Sequence, residues 1–395
     1  MEIPKTSAMR FILLLGLVSL LADVTYEGSR SFFGPYLGIL GASGTAVGFI
    51  AGLGELIGYA VRFFSGALSD RTGRYWAITF TGYAINLLAV PVLALAGNWP
   101  VAAALIVIER FGKGIRTPAR DAMLSHATKQ VGHGWGFGIH EALDQIGAIL
   151  GPLIVAGALF LRNNPRVGFA ILAIPAVMAL SVLAVAWFLY PRPQDLEPVS
   201  TVLETNGFPR YFWTYLAGVA LVAAGFADFA LVSFHFQQAH TVPLEYIPVF
   251  YAVAMGVDAI AALVFGRLFD RIGIAALAVA VILSSLFAPL VFFGRSTTIA
   301  LLGVAVWGIG MGAQESIMRA AVAGMVSGDR RGTAYGVFNT GYGIFWFAGS
   351  AVMGVLYDAS LLTLVVFSVA AQLLAIPLLL LAARTARPSP DTVSP

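Results

Sequence analysis

Three ionisable side chains follow a very apolar stretch near the start of the chain. Asp23, Glu27 and Arg30 come directly after the run RFILLLGLVSLL at residues 10–21. On an α-helix, spacings of four and three residues place the three side chains along one face. An ionisable group at the centre of a bilayer costs at least ~2.5–3.5 kcal/mol and persists only where it faces protein or water. If the run crosses a membrane, these residues therefore predict a polar, functional face.

The composition indicates that the run does cross a membrane. Of the 395 residues, 59% are hydrophobic and 11% are charged, whereas a soluble domain carries about 25% charged residues. Apolar blocks of about 20 residues, the length that crosses ~30 Å of hydrocarbon, recur from one end of the chain to the other. The fold class that follows is an all-α integral membrane protein.

Several functional classes are excluded by what the sequence contains. The net charge is +3, but the basic residues form no tract, so nucleic-acid binding is not predicted. The absence of cysteine excludes disulfides, thiolate metal sites and a cysteine nucleophile. The five histidines are scattered, so no metal site is predicted. No GK[ST] loop and no nucleophile–base arrangement is found, so we expect neither an ATP-driven pump nor an enzyme, and no cofactor.

Twelve membrane-spanning helices are predicted, separated by short breaks rich in Gly, Pro, Arg and Asp. The predicted spans are 9–37, 44–68, 76–96, 100–122, 134–160, 167–190, 210–238, 245–268, 274–294, 298–324, 331–358 and 361–384. The one long polar break follows the sixth span. The predicted organisation is a six-helix bundle at 1–190, a cytoplasmic linker at 191–209, a second six-helix bundle at 210–385 and a disordered cytoplasmic tail at 386–395.

The distribution of basic residues predicts the orientation of the chain. If the N-terminus is cytoplasmic, only Arg162, Arg166 and Arg295 fall in the outer loops, and the other loop arginines and lysines lie inside. The positive-inside rule then places both termini in the cytoplasm, in the cytoplasmic membrane. No small-residue cleavage site follows the first apolar run, so we expect no cleaved signal peptide.

The two halves of the chain repeat a loop sequence. GALSDRTGRYW at 66–76 follows the second span, and GRLFDRIGIAA at 266–276 follows the eighth. The shared residues, at an offset of 200, are Gly66, Leu68, Asp70, Arg71 and Gly73 and, in the second copy, Gly266, Leu268, Asp270, Arg271 and Gly273. Parallel halves of six helices are typical of one class of secondary transporter.

Charged residues are concentrated in particular spans. The third, sixth, ninth and twelfth spans have none, as expected if one helix of each triplet is an outer scaffold and the others surround an aqueous cavity. Asp23 lies about 14 residues, or roughly 21 Å, from the inner end of its span, and Asp228 about 18 residues into the seventh. Both positions are near the midplane, where secondary transporters bind substrate.

The residues predicted to couple protons or line the cavity fall on six spans. They are Asp23, Glu27, Arg30, Glu55, Arg110, His140, Glu141, Asp144, Asp228, His235 and Asp258. Structural alternatives remain for several of them. Glu27 and Arg30 could be an internal ion pair, and Glu55 with Arg62 could bridge neighbouring helices. Asp258 stands alone on the eighth span.

Aromatic residues on the first, seventh, eighth and eleventh spans are predicted to line the cavity. They are Tyr26, Phe33, Tyr36, Phe234, Tyr251 and Trp346. The alternative for each is packing between helices or contact with lipid.

The motifs together resemble the major facilitator superfamily over all twelve predicted spans. The family's loop motif G-x-L-x-D-R-x-G-R-[RK] is matched by Gly66, Leu68, Asp70, Arg71, Gly73 and Arg74 and departs at Tyr75. Its helix 4 motif R-x-x-Q-G reads RFGKG, with Arg110 and Gly114 in place and Lys113 instead of glutamine. Its exporter motif reads GAILGPLIVAG, in which Gly147, Gly151 and Pro152 match, while Val155 and Ala156 replace two glycines.

The resemblance implies a function and a gate. It favours a proton-coupled exporter of small organic molecules that works as a monomer by alternating access. The alternatives are an uptake symporter or facilitator of a small anionic solute and, more remotely, a membrane sensor or scaffold. We expect the loop motif, with Asp70 facing arginines that include Arg120, to close the cytoplasmic side.

Overall fold

The computed structural model describes residues 5–131, 133–191, 208–325 and 331–385. These residues are mainly helical, and no β-strand occurs among them. Most of the predicted linker and all of the predicted tail, 386–395, lie outside the described residues. We call the helices before and after the linker the first half and the second half.

The first half contains eight helices, several of which join end to end. They are α1 (Lys5–Arg30), α2 (Phe33–Ile39), α3 (Gly44–Thr72), α4 (Tyr75–Val92), α5 (Trp99–Val131), α6 (His133–Arg162), α7 (Pro165–Ile171) and α8 (Ala173–Leu189).

The second half is built in the same way. Its helices are α9 (Arg210–Gly225), α10 (Phe229–Gln238), α11 (Ile247–Ile272), α12 (Ala275–Ser284), α13 (Phe287–Phe292), α14 (Thr297–Met325), α15 (Arg331–Ala359) and α16 (Leu361–Thr385).

Ten helical segments of the described residues are long and apolar enough to cross a membrane. The helices α5 and α15, which are not among the ten, have 33 and 29 residues, so both are also long enough. They would be the fourth and eleventh spans of a twelve-span arrangement. The count of twelve stays a prediction.

Several spans predicted as continuous helices are broken, and two of the breaks lie beside predicted functional residues. The first span, 9–37, divides into α1 and α2 directly after Arg30. Pro35 has no N–H for the carbonyl group of Ser31, which prevents α1 from continuing. The seventh span, 210–238, divides at Asp228, where the backbone is extended. The Asp228 side chain caps α10 by accepting a hydrogen bond from the Ala230 N–H.

The helix ends define two faces of the molecule. The Tyr190 hydroxyl, after α8, donates to the Ser7 carbonyl oxygen at 3.2 Å, so the start of the first half and its end lie on one face, which we call the terminal face. The opposite face, where α2 ends and α3 begins, is the far face. There Asp358 of α15 accepts hydrogen bonds from the Gly44 and Thr45 N–H groups at 2.9 and 2.7 Å.

Two further contacts join the halves at the far face. The helices α2 and α10 approach so closely that a Cβ atom on Gly34 would lie 1.9 Å from the Ala230 carbonyl oxygen. The rings of Phe160 and Tyr246 meet edge to face, with centroids 5.0 Å apart. The far face is therefore closed by direct contact between the two halves.

Within the first half, α1 and α6 cross at the glycines of the predicted exporter motif. A Cβ atom at Gly151 would lie 2.3 Å from the Val24 carbonyl oxygen, and one at Gly147 would lie 2.4 Å from that of Leu20. The backbones touch here, so no side chain fits. The crossing holds Asp23, which lies between Leu20 and Val24 on α1, against α6.

We expect Gly151→Ala to destabilise the protein by about 1–3 kcal/mol, the usual cost of forcing an extra group into a packed contact. Gly157→Ala is the matched control, because nothing lies within 4 Å of a Cβ atom at that position of the same helix. It should be neutral or stabilise by up to about 1 kcal/mol. Thermal unfolding of the purified protein checks both, and equal melting temperatures would contradict the close crossing.

Candidate functional site

The candidate site is a group of buried charges where the two halves meet. At its centre the Arg30 guanidinium lies 3.1 Å from Asp228 of the second half and 3.3 Å from Glu55 of the first. Its distance to Glu27, one turn earlier on α1, is 3.9 Å. Arg30 therefore does more than pair with Glu27, because it bridges the halves.

The broken helix α9–α10 positions Asp228 for this bridge. One carboxylate oxygen accepts from the Ala230 N–H at 2.9 Å and caps α10, and the other accepts from Arg30. The residue is 4% exposed. Discontinuous helices whose ends meet substrate or ions are characteristic of transporter binding sites.

A second contact across the halves lies beside the first. The hydroxyl of Tyr251 on α11 donates a hydrogen bond to the Glu27 carboxylate on α1. Phe229, the residue after Asp228, packs on the Tyr251 ring with centroids 4.5 Å apart. Two adjacent polar contacts thus connect α1 to the second half at the same depth.

The network continues into α5. The Arg110 guanidinium lies 3.5 Å from Glu55 and 3.4 Å from Glu109. Asn86 of α4 donates to Glu109 at 2.7 Å, so the buried Glu109 carboxylate also has a neutral partner. Glu55 is shared by Arg30 and Arg110 and links the two arginines.

A separate cluster surrounds Asp23 inside the first half. Its charged neighbours are Lys113 and Arg116 of α5 and Asp144 of α6. The Lys113 ammonium lies 3.7 Å from the centre of the Tyr26 ring. Lys113 is thus held by a cation–π contact as well as by the nearby carboxylates.

Arg116 is the most deeply buried cation of this cluster, at 2% exposure. It stacks over the Tyr83 ring at 4.3 Å, and its Nε and Nη1 atoms have no hydrogen-bond partner among the described residues. No carboxylate of the described chain lies within 4.0 Å of either Lys113 or Arg116, in contrast to Arg30 and Arg110.

His140 and Asp144 lie one turn apart on α6 and are 3.4 Å from each other. Arg120, predicted to belong to the gate, lies beside them. Its guanidinium donates to Ser19 at 2.6 Å and pairs with Asp121 at 2.7 Å, with Asp144 3.9 Å away. Arg120 therefore connects α5 to α1 and α6 within the first half.

Asp258 does not stand alone, because side chains of both halves surround it. It is 2% exposed and hydrogen-bonds to Gln145 of α6, and its nearest charges are Glu315 and Glu141. Glu141 and Glu315 are both exposed. This acidic group lies on the α6–α11 contact.

The predicted aromatic residues divide between the interface and the packing of one half. Tyr26 and Tyr251 touch the charged groups, and Phe33 lies in a small space beside Arg110 and Asp228. Trp346 packs on Phe226. Tyr36 lies inside the first half, where its hydroxyl donates to the Leu93 carbonyl oxygen at 2.7 Å.

Phe234 and His235 lie towards the far face rather than at the centre. The Phe234 and Tyr357 rings meet with centroids 5.4 Å apart, and His235 shares a hydrogen bond of 3.1 Å with the Tyr357 hydroxyl.

The loop motif is at the terminal face. Gly73 ends α3 with φ +64°, and Gly273 ends α11 with φ +63°, so both glycines supply a left-handed turn. Gly66 faces Pro118 of α5. Arg71, Arg74, Asp270 and Arg271 are exposed, Gly266 has open space beside it, and the side chain of Asp70 lies outside the described part of the chain. The gate itself stays a prediction.

Sequence reasoning missed several members of the site. Arg116 lies three residues after Lys113, which the helix 4 motif already included, and this spacing was a usable signal for a shared face. Asn86 and Gln145, both buried partners of carboxylates, lie in apolar stretches without any local pattern.

Comparison with known proteins identifies the class that this arrangement belongs to. A model of the Major Facilitator Superfamily matches residues 15–350. The chain belongs to this superfamily and is a multi-pass membrane transporter of its type.

Individual relatives agree with this assignment. An uncharacterized protein of Mycobacterium tuberculosis is 43% identical over 397 residues, covering 98% of this chain and 96% of the relative. The multidrug resistance protein MdtH of Proteus mirabilis is 30% identical over 177 residues, 44% of each chain. The crystal structure of a bacterial homolog of the human lysosomal transporter Spinster, inward-facing and unoccupied, superposes with a TM-score of 0.76 at 16% identity, covering 99% of this chain and 100% of that one.

Proposed function

We propose that this transporter is a proton-coupled exporter of small organic molecules that works by alternating access. In this proposal it is a monomer in the cytoplasmic membrane with both termini in the cytoplasm. The proton gradient is its energy source, and it needs no cofactor. The observation that carries the proposal is the Arg30 bridge to Asp228 across the halves.

The charge balance of the site supports a proton as the coupling ion. Four buried carboxylates belong to the network, Glu27, Glu55, Glu109 and Asp228, against the guanidiniums of Arg30 and Arg110. Lys113, near Glu27, adds a third cation. Arg62, near Glu55, adds a fourth, so the four carboxylates and four cations balance. Because an unpaired buried charge is costly, protonation of one carboxylate would change how the remaining charges pair.

The same bridge suggests how a proton could drive the movement. Protonation of Asp228 removes the negative charge that attracts Arg30. Arg30 then pairs only with Glu55 and Glu27, which belong to its own half. The two halves then lose a charge-assisted contact near the middle of their interface. Separation of the halves at the far face becomes easier, which is the step that alternating access requires.

Export is supported by a feature of the first half and by one relative. The glycines that the exporter motif shares, Gly147 and Gly151, form the α1–α6 crossing beside Asp23. A relative that is 30% identical over 177 residues is described as a multidrug resistance protein.

A second candidate, uptake of a small organic anion, is favoured by Lys113 and Arg116. These are cations near Asp23 that lack a carboxylate within 4.0 Å in the described residues, and they could bind an anion once Asp23 is protonated. In that mechanism the anion and the proton would move together.

Proton flux in proteoliposomes tests the proposal. A panel of cationic, neutral and anionic compounds is added to the reconstituted wild type, Asp228→Asn and Asp23→Asn, with Arg162→Gln at the exposed end of α6 as control. We expect a transported compound to move protons in the opposite direction, and Asp228→Asn to lose this flux at least tenfold while it retains exchange of substrate for substrate. Arg162→Gln should match the wild type.

Other outcomes would overturn the proposal in different ways. Protons moving in the same direction as an anion would establish the second candidate. Undiminished proton flux in Asp228→Asn would show that the Arg30 bridge is not the coupling element.

A further inference from the structure

A cavity of about 850 Å³ lies at the far face of the second half. It is open to the surface and bordered by the ends of α10 and α13, the start of α14 and the start of α16, and every residue that lines it belongs to the second half. The volume is within the usual range of small-molecule sites. Neither the charged network at the centre nor the cluster around Asp23 contributes a residue to it.

The lining of the cavity is basic. Arg295, His235 and His240 line it, and none of the lining residues is an aspartate or glutamate. Ser296 and Thr297, at the start of the 29-residue helix α14, also line it. The N-terminus of a helix attracts anions through its partial positive charge and its free N–H groups, so it adds to Arg295 and His240.

The walls of the cavity are held in place by several contacts. The His235 ring shares a hydrogen bond with the Tyr357 hydroxyl at 3.1 Å and packs on Phe292, with centroids 5.1 Å apart. His235 is 3% exposed. The Thr297 hydroxyl donates to the Thr241 carbonyl oxygen at 3.0 Å, which ties the loop after α10 to the start of α14.

The loop after α10 begins at His240, whose φ of +52° belongs to the turn that ends the helix. One feature of this loop indicates a ligand rather than a simple gap. The Thr241 hydroxyl oxygen is buried and has no hydrogen-bond partner among the described residues. A buried hydroxyl without a partner is unusual, and a bound polar group would provide one.

We propose that this cavity binds a small organic anion with a carboxylate or phosphate group. The charged group lies between Arg295, His240 and the first turn of α14, where it can accept hydrogen bonds. The apolar part of the molecule packs on the ring of Phe292. Free solutes and the headgroups of anionic lipids share this chemistry, and the cavity is a site in addition to the transport pathway at the interface of the halves.

Calorimetric titration of the purified full chain tests the site, in nanodiscs of phosphatidylcholine, which carries no net charge. The probes are benzoate, phenylphosphonate and neutral benzamide. We expect the wild type to bind at least one of the two anions, and benzamide at least tenfold more weakly than that anion. Arg295→Gln should weaken the binding of the anion at least tenfold, and so should His240→Asn, which keeps a residue that tolerates a positive φ.

The control variant is Arg162→Gln, which removes the same charge from a far-face position of the first half and should leave the dissociation constant unchanged. The titration uses no proton gradient, so the result is independent of the proposed transport mechanism. The proposal is wrong if neither anion binds more tightly than benzamide, or if Arg295→Gln and Arg162→Gln behave alike.

Nanodiscs that contain phosphatidylglycerol distinguish the two sources of the anion. If a lipid headgroup occupies the cavity, the apparent affinity of the wild type for the probe falls in these nanodiscs, and Arg295→Gln removes the difference between the two lipids. If a free solute is the occupant, the affinity is the same in both. Each result supports an anion site and identifies its occupant.

Discussion

Replacing Arg30 by glutamine is expected to abolish transport driven by the proton gradient and to lower the free energy of unfolding by about 3–5 kcal/mol. Among the described residues, Arg30 is the only cation within 4.0 Å of Asp228. Without Arg30, the buried carboxylates of Asp228 and Glu27 have no salt-bridge partner among the described residues. The Glu55 carboxylate keeps only its salt bridge to Arg110. The cost comes mainly from the charges that remain unpaired.

Two measurements separate the loss of coupling from the loss of stability. Gradient-driven transport in proteoliposomes measures the first, and thermal unfolding of the purified protein measures the second. The double variant Arg30→Gln with Asp228→Asn should recover part of the stability, because fewer carboxylates then lack a cation, and it should remain uncoupled. More than a tenth of the wild-type transport in Arg30→Gln would contradict the central role of this arginine.

Replacing Asp358 by alanine is expected to open the far face. The carboxylate of this residue on α15 accepts hydrogen bonds from the Gly44 N–H, the Thr45 N–H and, at 2.6 Å, the Thr45 hydroxyl. A residue of the second half therefore caps the first turn of α3 in the first half. A cap of this kind contributes about 0.5–2 kcal/mol, and 1.4 kcal/mol corresponds to a tenfold change in an equilibrium.

Cysteine accessibility measures this opening directly, because the chain has no cysteine of its own. Leu37→Cys places a thiol on α2 at a position that is 1% exposed in the closed far face. With Asp358→Ala in the same chain, we expect the thiol to react about tenfold faster with a membrane-impermeant maleimide. Thr45→Val, which removes one of the three hydrogen bonds, should give an intermediate rate.

The matched control for Asp358 is Ser360→Ala. Ser360 is two residues away, and its side chain accepts a hydrogen bond from Thr363 of α16 within the same half. This variant should label at the wild-type rate. If Asp358→Ala also labels at that rate, the cap across the halves does not hold the far face closed.

Much of the fold could be predicted from the sequence, because a bilayer restricts what a chain can do. Backbone polar groups in hydrocarbon must be satisfied within a helix, so apolar blocks of spanning length indicate where the helices lie. The loop that begins at Gly66 and its copy at Gly266 indicated two related halves. The family model and the structural neighbour confirm the fold class that these patterns predicted.

The interruptions of the helices were harder to predict. Asp228 is a good capping residue, but it is surrounded by residues that also suit a continuous membrane helix, so the period of the sequence did not show the break. The structure reveals the break, because one oxygen of the Asp228 carboxylate accepts a hydrogen bond from the Ala230 N–H and the other accepts one from Arg30.

The sequence by itself determined that this protein is a helical membrane protein with two related halves and with charges on selected helices, because hydrophobicity and the cost of a charge in lipid act on each segment separately. Only the tertiary structure decided which charges meet. Arg30 and Asp228 are 198 positions apart, and Gly44 and Asp358 are 314 apart. Their contacts depend on how the helices rotate and cross, and packing between many residues sets those angles rather than any local pattern.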